Sequence, residues 1–272
     1  MARTIDVWGQ VPTQRMLDQP WLASLMRWTG QAWTADQVTA DLLVALMDAA
    51  NVDITLISAW SSPSGDLISN QDLLAAVHAH PERLRGIATA DISRPMEAVR
   101  ELRDIVDGEH IVGVRVLPWV WNLPPNDRLF YPIYAACVDL GVPFCTQIGH
   151  TGPLRRSEVG RPIPYLEDVL LDFPELTVVG GHVGFPWVDE LTTLAVKFEN
   201  FYVDTSAYKL KRLPASFVDF MKGPGRSRVM FGTNWPMVEA ASSLNDIDAL
   251  DLDAAHHADF LGHIAERVFK LN

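Results

Sequence analysis

Leu176-Thr177-Val178-Val179-Gly180-Gly181-His182-Val183-Gly184 is a short apolar run that ends in glycines around one histidine. One unit upstream the same form returns as Val142-Pro143-Phe144-Cys145-Thr146-Gln147-Ile148-Gly149-His150. Within these stretches Leu176–Gly180 and Val142–Ile148 are the candidate strands, continuous apolar runs of the kind buried on both faces in a parallel sheet covered by helices. Working outward, further candidate strands are Thr4–Trp8, Val52–Ala59, Leu84–Ala90, Ile111–Leu117, Phe201–Thr205 and Val229–Gly232. Amphipathic stretches with helix signals separate them. Thr34-Ala-Asp-Gln37 has the form of a capping box ahead of Val38, Leu42, Leu46 and Met47. Ser93-Arg-Pro95 sets a capping serine before an early proline. The stripe Phe130, Ile133, Tyr134, Cys137 and Val138 runs into Leu140-Gly141.

Eight strands alternating with about eight helices predict an α/β fold, a single (β/α)8 TIM barrel spanning residues 1–272. A doubly wound sheet would carry a glycine-rich phosphate turn after its first strand. The turn here, Asp6-Val-Trp-Gly-Gln-Val-Pro12, is not one. A short apolar insertion after strand one (Trp21, Leu22, Leu25, Met26, Trp28) is either a flap over the barrel mouth or a packing element.

Composition excludes several function classes. Twenty-two basic against 34 acidic side chains give a net charge of −12. So negative a surface repels phosphate backbones and anionic lipid, so neither nucleic acid nor membrane is an expected partner. Cys137 and Cys145 make neither a disulfide framework nor a four-thiolate zinc cage, and read as buried thiols. No leader signature and no run of 18 apolar residues is present, so the expected location is the cytoplasm. A homodimer is the default assembly.

In such barrels the chemistry sits where strands end. Those positions carry Trp8 and Gln10, Trp60, Arg115 with Trp119 and Trp121, His150, His182, Asp204 and Ser206, then Asn234 and Trp235. His150 and His182 stand apart because glycines beside them permit close ligand approach. His78, His80, His110, His256, His257 and His263 fall on helices or before strands, as surface or packing histidines do. Arg115 either pairs a substrate carboxylate or is a core arginine satisfied by Asp6 or Asp91. Arg155 and Arg156 are either solvated or placed to meet an anionic tail. Any one tryptophan is best read as core. Five of the chain's nine at one end of a barrel (Trp8, Trp60, Trp119, Trp121, Trp235) point to a pocket for a flat aromatic ligand.

The chain resembles the amidohydrolase-related group that includes aminocarboxymuconate-semialdehyde decarboxylase. The resemblance runs through Thr4-Ile-Asp6, Asn70, His80-Pro-Glu-Arg-Leu-Arg-Gly86, Val112-Gly-Val-Arg115 and Tyr131-Pro-Ile-Tyr134. It continues in His150-Thr-Gly152, Val178-Val-Gly-Gly-His182, Phe231-Gly-Thr-Asn-Trp-Pro236 and Ala265-Glu-Arg-Val-Phe269. Metal-dependent members of that group carry His-x-His after strand one and an aspartate after strand eight. Here those positions are Trp8-Gly-Gln10 and Asn234. His150 and His182 alone fall short of the three protein ligands a catalytic zinc needs, unless Asp204 or a substrate atom joins them. No cofactor is therefore expected, zinc being the one weighed. An amide cannot shuttle a proton, so the catalytic set is His150, His182 and Asp204, with Asn234 as an oxyanion donor. An asparagine introduced to trap substrate would leave the first-strand ligands intact; losing both sites fits a natural metal-free lineage.

The resemblance implies a small aromatic or related acid as substrate. The leading expectation is a metal-independent hydrolase cleaving a C–C, thioester or lactone bond with histidine-activated water. The Trp8-x-Gln10 start resembles the aryl β-ketoacyl-CoA hydrolases. Gln10, Trp8, Trp60, Arg115, Trp119, Trp121 and Trp235 are the expected substrate-binding residues. The alternatives are a non-oxidative decarboxylase and a non-catalytic barrel that binds an aromatic ligand.

Overall fold

A computed structural model describes residues 3–271. Eight parallel strands pair in chain order: β1 Ile5–Gly9, β2 Ile54–Ser58, β3 Leu84–Ala88, β4 Ile111–Arg115, β5 Phe144–Gln147, β6 Val178–Gly181, β7 Phe201–Asp204 and β8 Val229–Met230. The barrel closes where Val7 N–H donates to Phe231 O (3.0 Å), Gln10 N–H donates to Trp235 O (3.2 Å) and Gly9 bridges Trp235. Nearly every strand residue is buried, so the apolar runs serve an inner and an outer core at once. Ile5, Val7, Leu56, Val112, Val179 and Met230 fill the barrel interior together with Ile264, Val268 and Phe269 of the last helix. Among the described residues no helix is long and apolar enough to cross a membrane.

Local signals resolve in detail. Thr34 and Gln37 do bond to each other, but they close only a turn. The helix starts at Ala40, capped by Thr39 Oγ1, which accepts from Leu42 N–H at 3.2 Å. The later start rotates its buried face to Leu43 and Met47 and leaves Leu42 exposed. Ser93 donates to Asp91 instead of capping, and Arg94 takes the N-cap position before Pro95. Tyr131–Leu140 ends as expected on Gly141, whose φ of 66° is the left-handed turn glycine adopts without strain.

The insertion is a roof over the barrel mouth. It folds as helices Gln14–Leu17 and Ala23–Thr29 around a 3-10 turn, Pro20–Leu22. Ser24 Oγ donates to Gly152 O (2.7 Å) and Leu154 N–H donates to Trp21 O (2.8 Å), tying the roof to the loop after β5.

Candidate active site

The floor of the barrel mouth is built on β1 and β4. The Trp8 indole lies flat on the Arg115 guanidinium, 3.5 Å from ring centroid to Cζ, and leans on the His182 ring at 4.8 Å. Cation–π attraction strengthens when the pair is desolvated, and both residues are only 1% exposed. Arg115 also donates to Ser58 Oγ (2.7 Å) and Val7 O (3.2 Å). Two buried carboxyls flank it. Burial raises Asp6 to about 7 despite hydrogen bonds from Thr233 and the Trp8 amide. Burial raises Asp204 to about 6, opposed by hydrogen bonds from Ser206 and by the Arg115 charge. Arg115 is thus a buried cation held by Ser58 and Val7, on which Asp204 and Asp6 act through space. It does not line the cavity, and among the described residues neither Asp6 nor Asp91 is its hydrogen-bond partner.

Gly181 is the condition for this floor. A Cβ there would come within 2.3 Å of Trp8 Cζ3. Gly181→Ala should therefore force the buried indole off its guanidinium. The expected destabilisation is about 1–3 kcal/mol, seen as a lower urea midpoint with blue-to-red movement of tryptophan emission.

His182 follows β6 with a left-handed φ of 75°. Its Nδ1 lies 2.7 Å from Ser206 Oγ, and Ser206 N–H donates to Asp204 Oδ1 at 2.9 Å. Burial, then the Arg115 charge, push the imidazole down to about 3, so it is neutral. With Nδ1 engaged by Ser206, Nε2 is the nitrogen left for a ligand. Asp204, fully buried, acts on the ring through Ser206 and not by touching a substrate.

Asn234 also adopts a positive φ, 72°. Its N–H donates to Trp8 O at 2.7 Å, and its Oδ1 accepts from Gln10 Nε2 at 3.2 Å. Gln10 Nε2 donates to Trp235 O as well. The two amides hold each other, and among the described residues Asn234 Nδ2 has no hydrogen-bond partner. His150 is exposed; its Nδ1 sits 3.1 Å from Ser157 Oγ. Gln147 links it to the aromatic wall, accepting from Trp119 Nε1 (2.7 Å) and donating to His150 O (3.1 Å). Trp119 packs edge-on against Trp21 and Trp60 at 5.1 and 5.8 Å.

These groups line a cavity of about 710 Å³ under the roof. Of the expected residues, Gln10, Trp60, Trp119, His150, His182 and Asn234 line it. Trp8, Arg115, Asp204 and Trp235 lie buried beneath or behind the lining, at 0–3% exposure. Trp121 opens instead onto a separate cleft of about 400 Å³, which Arg155 shares. Neither Arg155 nor Arg156 reaches the cavity, and none of the six other histidines does. The sequence reasoning missed Gln147, Tyr208, Lys209, Arg212 and Met237. Gln147 was legible as the last residue of an apolar strand; the others lie on irregular loops without periodicity.

The donors present do not fit a divalent cation. Among the described residues no three His, Cys, Asp or Glu side chains converge. The first-strand position holds an indole ring, which offers no lone pair, and the guanidinium beneath it repels a second cation.

Comparison with known proteins follows the same lines. The amidohydrolase family model matches residues 30–271, leaving only the roof and β1 outside it. The gamma-resorcylate decarboxylase of Rhodococcus jostii (strain RHA1) is 25% identical over 297 residues, covering 85% of this chain and 88% of that protein. An uncharacterized TIM-barrel protein from Bordetella bronchiseptica superposes with a TM-score of 0.85 at 26% identity, covering 98% of both chains. A 5-carboxyvanillate decarboxylase from Novosphingobium aromaticivorans, complexed with manganese and 4-hydroxy-3-methoxy-5-nitrobenzoic acid, gives a TM-score of 0.72 at 18% identity over 99% of this chain and 96% of that one. With its eight-stranded barrel, its histidine after β6 and a family match over most of its length, this chain belongs to the amidohydrolase family.

Proposed function

We propose that the chain is a non-oxidative decarboxylase of an aromatic acid that works with protein groups alone. The observation that carries this is the neutral His182, held through Nδ1 by Ser206 and Asp204, at the base of an aromatic-walled cavity. The 25% identical gamma-resorcylate decarboxylase supports the lyase reading over the hydrolase expected from the sequence. His182 Nε2 takes the proton of a ring hydroxyl ortho to the carboxylate, pushing electron density into the ring. The bound carboxylate favours the imidazolium, raising a value that Arg115 and burial hold low in the free protein. The imidazolium returns its proton to the ring carbon bearing the carboxylate. The carbon–carboxylate bond then breaks, its electron pair restores the aromatic ring as CO2 leaves, and the phenolate so formed takes one proton from solvent. The sum is one carboxylate and one proton giving CO2 and the arene.

Hydrolysis by His182-activated water is the second reading. The unpartnered Asn234 Nδ2, placed to meet a developing oxyanion, favours it. Products separate the two. Incubation with hydroxybenzoic acids in D2O should release CO2 and leave one deuterium on the ring carbon. Thioester or lactone substrates in ¹⁸O-water giving labelled acid, with no CO2 from any ring acid, would overturn the decarboxylase reading. No turnover on either panel would leave the barrel as a ligand-binding protein.

The misfit of the donor set gives a further expectation. Protein dialysed against a chelator should contain substoichiometric divalent metal and keep its turnover. Turnover lost on chelation and restored by manganese would contradict it.

A further inference from the structure

The surface is acidic overall, and Lys211, in the loop after β7, is paired with Asp246 at 3.2 Å. Among the described residues Lys209 and Arg212, on either side of Lys211, have no side-chain hydrogen-bond or ion-pair partner, and both line the cavity. Glu239 is the one carboxylate on the lining, and it bonds to neither. A chain of net charge −12 therefore turns a net positive edge toward the cavity under its roof. Such a field draws anions inward.

Size points the same way. A cavity of about 150 Å³ suffices for a benzene ring, whereas this one offers about 710 Å³. A single-ring acid at His182 leaves most of the space unfilled. Trp28, 79% exposed, adds an aromatic face to the open part. The loop after β7 joins the two ends: Asp204 and Ser206 hold His182 at the base, and Lys209 and Arg212 follow within the same loop.

We propose that Lys209 and Arg212 form an outer anion subsite, and that the ligand is an aromatic acid derivative carrying an arm that ends in carboxylate or phosphate. This rests on the reading that the cavity holds an aromatic acid at His182. The arm lies across the cavity from the floor to the loop, and its terminal oxygens accept charge-assisted hydrogen bonds from the Lys209 ammonium and the Arg212 guanidinium.

Titration calorimetry on the wild-type chain tests this with three probes: 2-hydroxybenzoate, the same ring bearing a flexible arm ended by carboxylate, and that arm ended by phosphate. At least one armed probe should bind about tenfold more tightly than the plain acid, with the gain shrinking in high salt. Lys209→Met/Arg212→Met should erase that gain and leave the plain acid's affinity unchanged. The tighter armed probe identifies the anion. Equal binding of armed and plain acids to the wild type, or equal weakening of both in the double variant, overturns the subsite. Binding of an armed probe that depends on Lys209 and Arg212, with no competition by hydroxybenzoates, keeps the subsite and sinks the aromatic-acid reading. No binding by any probe sinks both.

Discussion

His182→Ala should lower kcat by about 10²- to 10⁴-fold on the first substrate identified, the range typical for losing a positioned acid–base group. The imidazole is the buried base of the cavity lining, and Ser206 Oγ at 2.7 Å anchors its Nδ1 and leaves Nε2 for the ligand. Ligand affinity should change little, because Trp60, Trp119 and Gln147 still form the wall. Ser206→Ala should give a smaller loss in kcat at unchanged KM, as a free ring samples other orientations. The pH profile distinguishes this arrangement from an ordinary catalytic histidine. The His182 value of about 3 lies below the working range, so no limb near 6.5 belongs to it in the free protein. Asp204, at about 6, must be ionised to stabilise the imidazolium through Ser206. Activity should then rise with pH through about 6, and Asp204→Asn should flatten that limb. Full turnover by His182→Ala would remove the mechanism.

Arg115→Met should destabilise the fold by about 3–5 kcal/mol at neutral pH, because it strips two buried acids of their countercharge. Asp6 and Asp204 have folded values of about 7 and 6, above the 3.8 of an exposed aspartate. The folded chain therefore holds more protons than the unfolded one between about pH 4 and 7. Stability contributed by these groups is full below that window and is lost as pH rises through it. Arg115 limits the loss by favouring the carboxylates. Without it both values climb, so the loss extends to higher pH. Urea unfolding should thus show a larger deficit for Arg115→Met at pH 8 than at pH 5. Equal deficits at both would mean that the guanidinium acts through packing on Trp8 alone.

The barrel was legible because burial on both faces of a strand leaves continuous apolar runs. All eight candidate runs overlap a strand of the sheet, and β3, β4, β7 and β8 begin at the residues where their runs begin, Leu84, Ile111, Phe201 and Val229. The site was legible only in part. A residue at a strand end is adjacent to the mouth in sequence, but its side chain goes either up into the cavity or down into the barrel, and composition does not say which. Trp60 and Trp119 face the cavity, whereas Trp8 lies flat over Arg115 and Trp235 is buried behind Asn234. Trp121, two residues past Trp119 on a short helix and so on nearly the opposite face, points to another cleft. Lys209 and Arg212 carried no sequence signal at all. Their meaning comes from the absence of acidic partners, which is a property of three-dimensional surroundings.

The contact between Trp8, Arg115 and Gly181 has a consequence for how this lineage can change. Replacing Trp8 by a histidine would leave the guanidinium without its aromatic cover and open a void above it. Adding a side chain at Gly181 is blocked while the indole is present. Each member makes the others costly to alter singly, so a return to a metal-binding first strand needs several substitutions together. The arrangement behaves as a ratchet: once the three residues have packed together, one-step reversals pass through poorly folded intermediates.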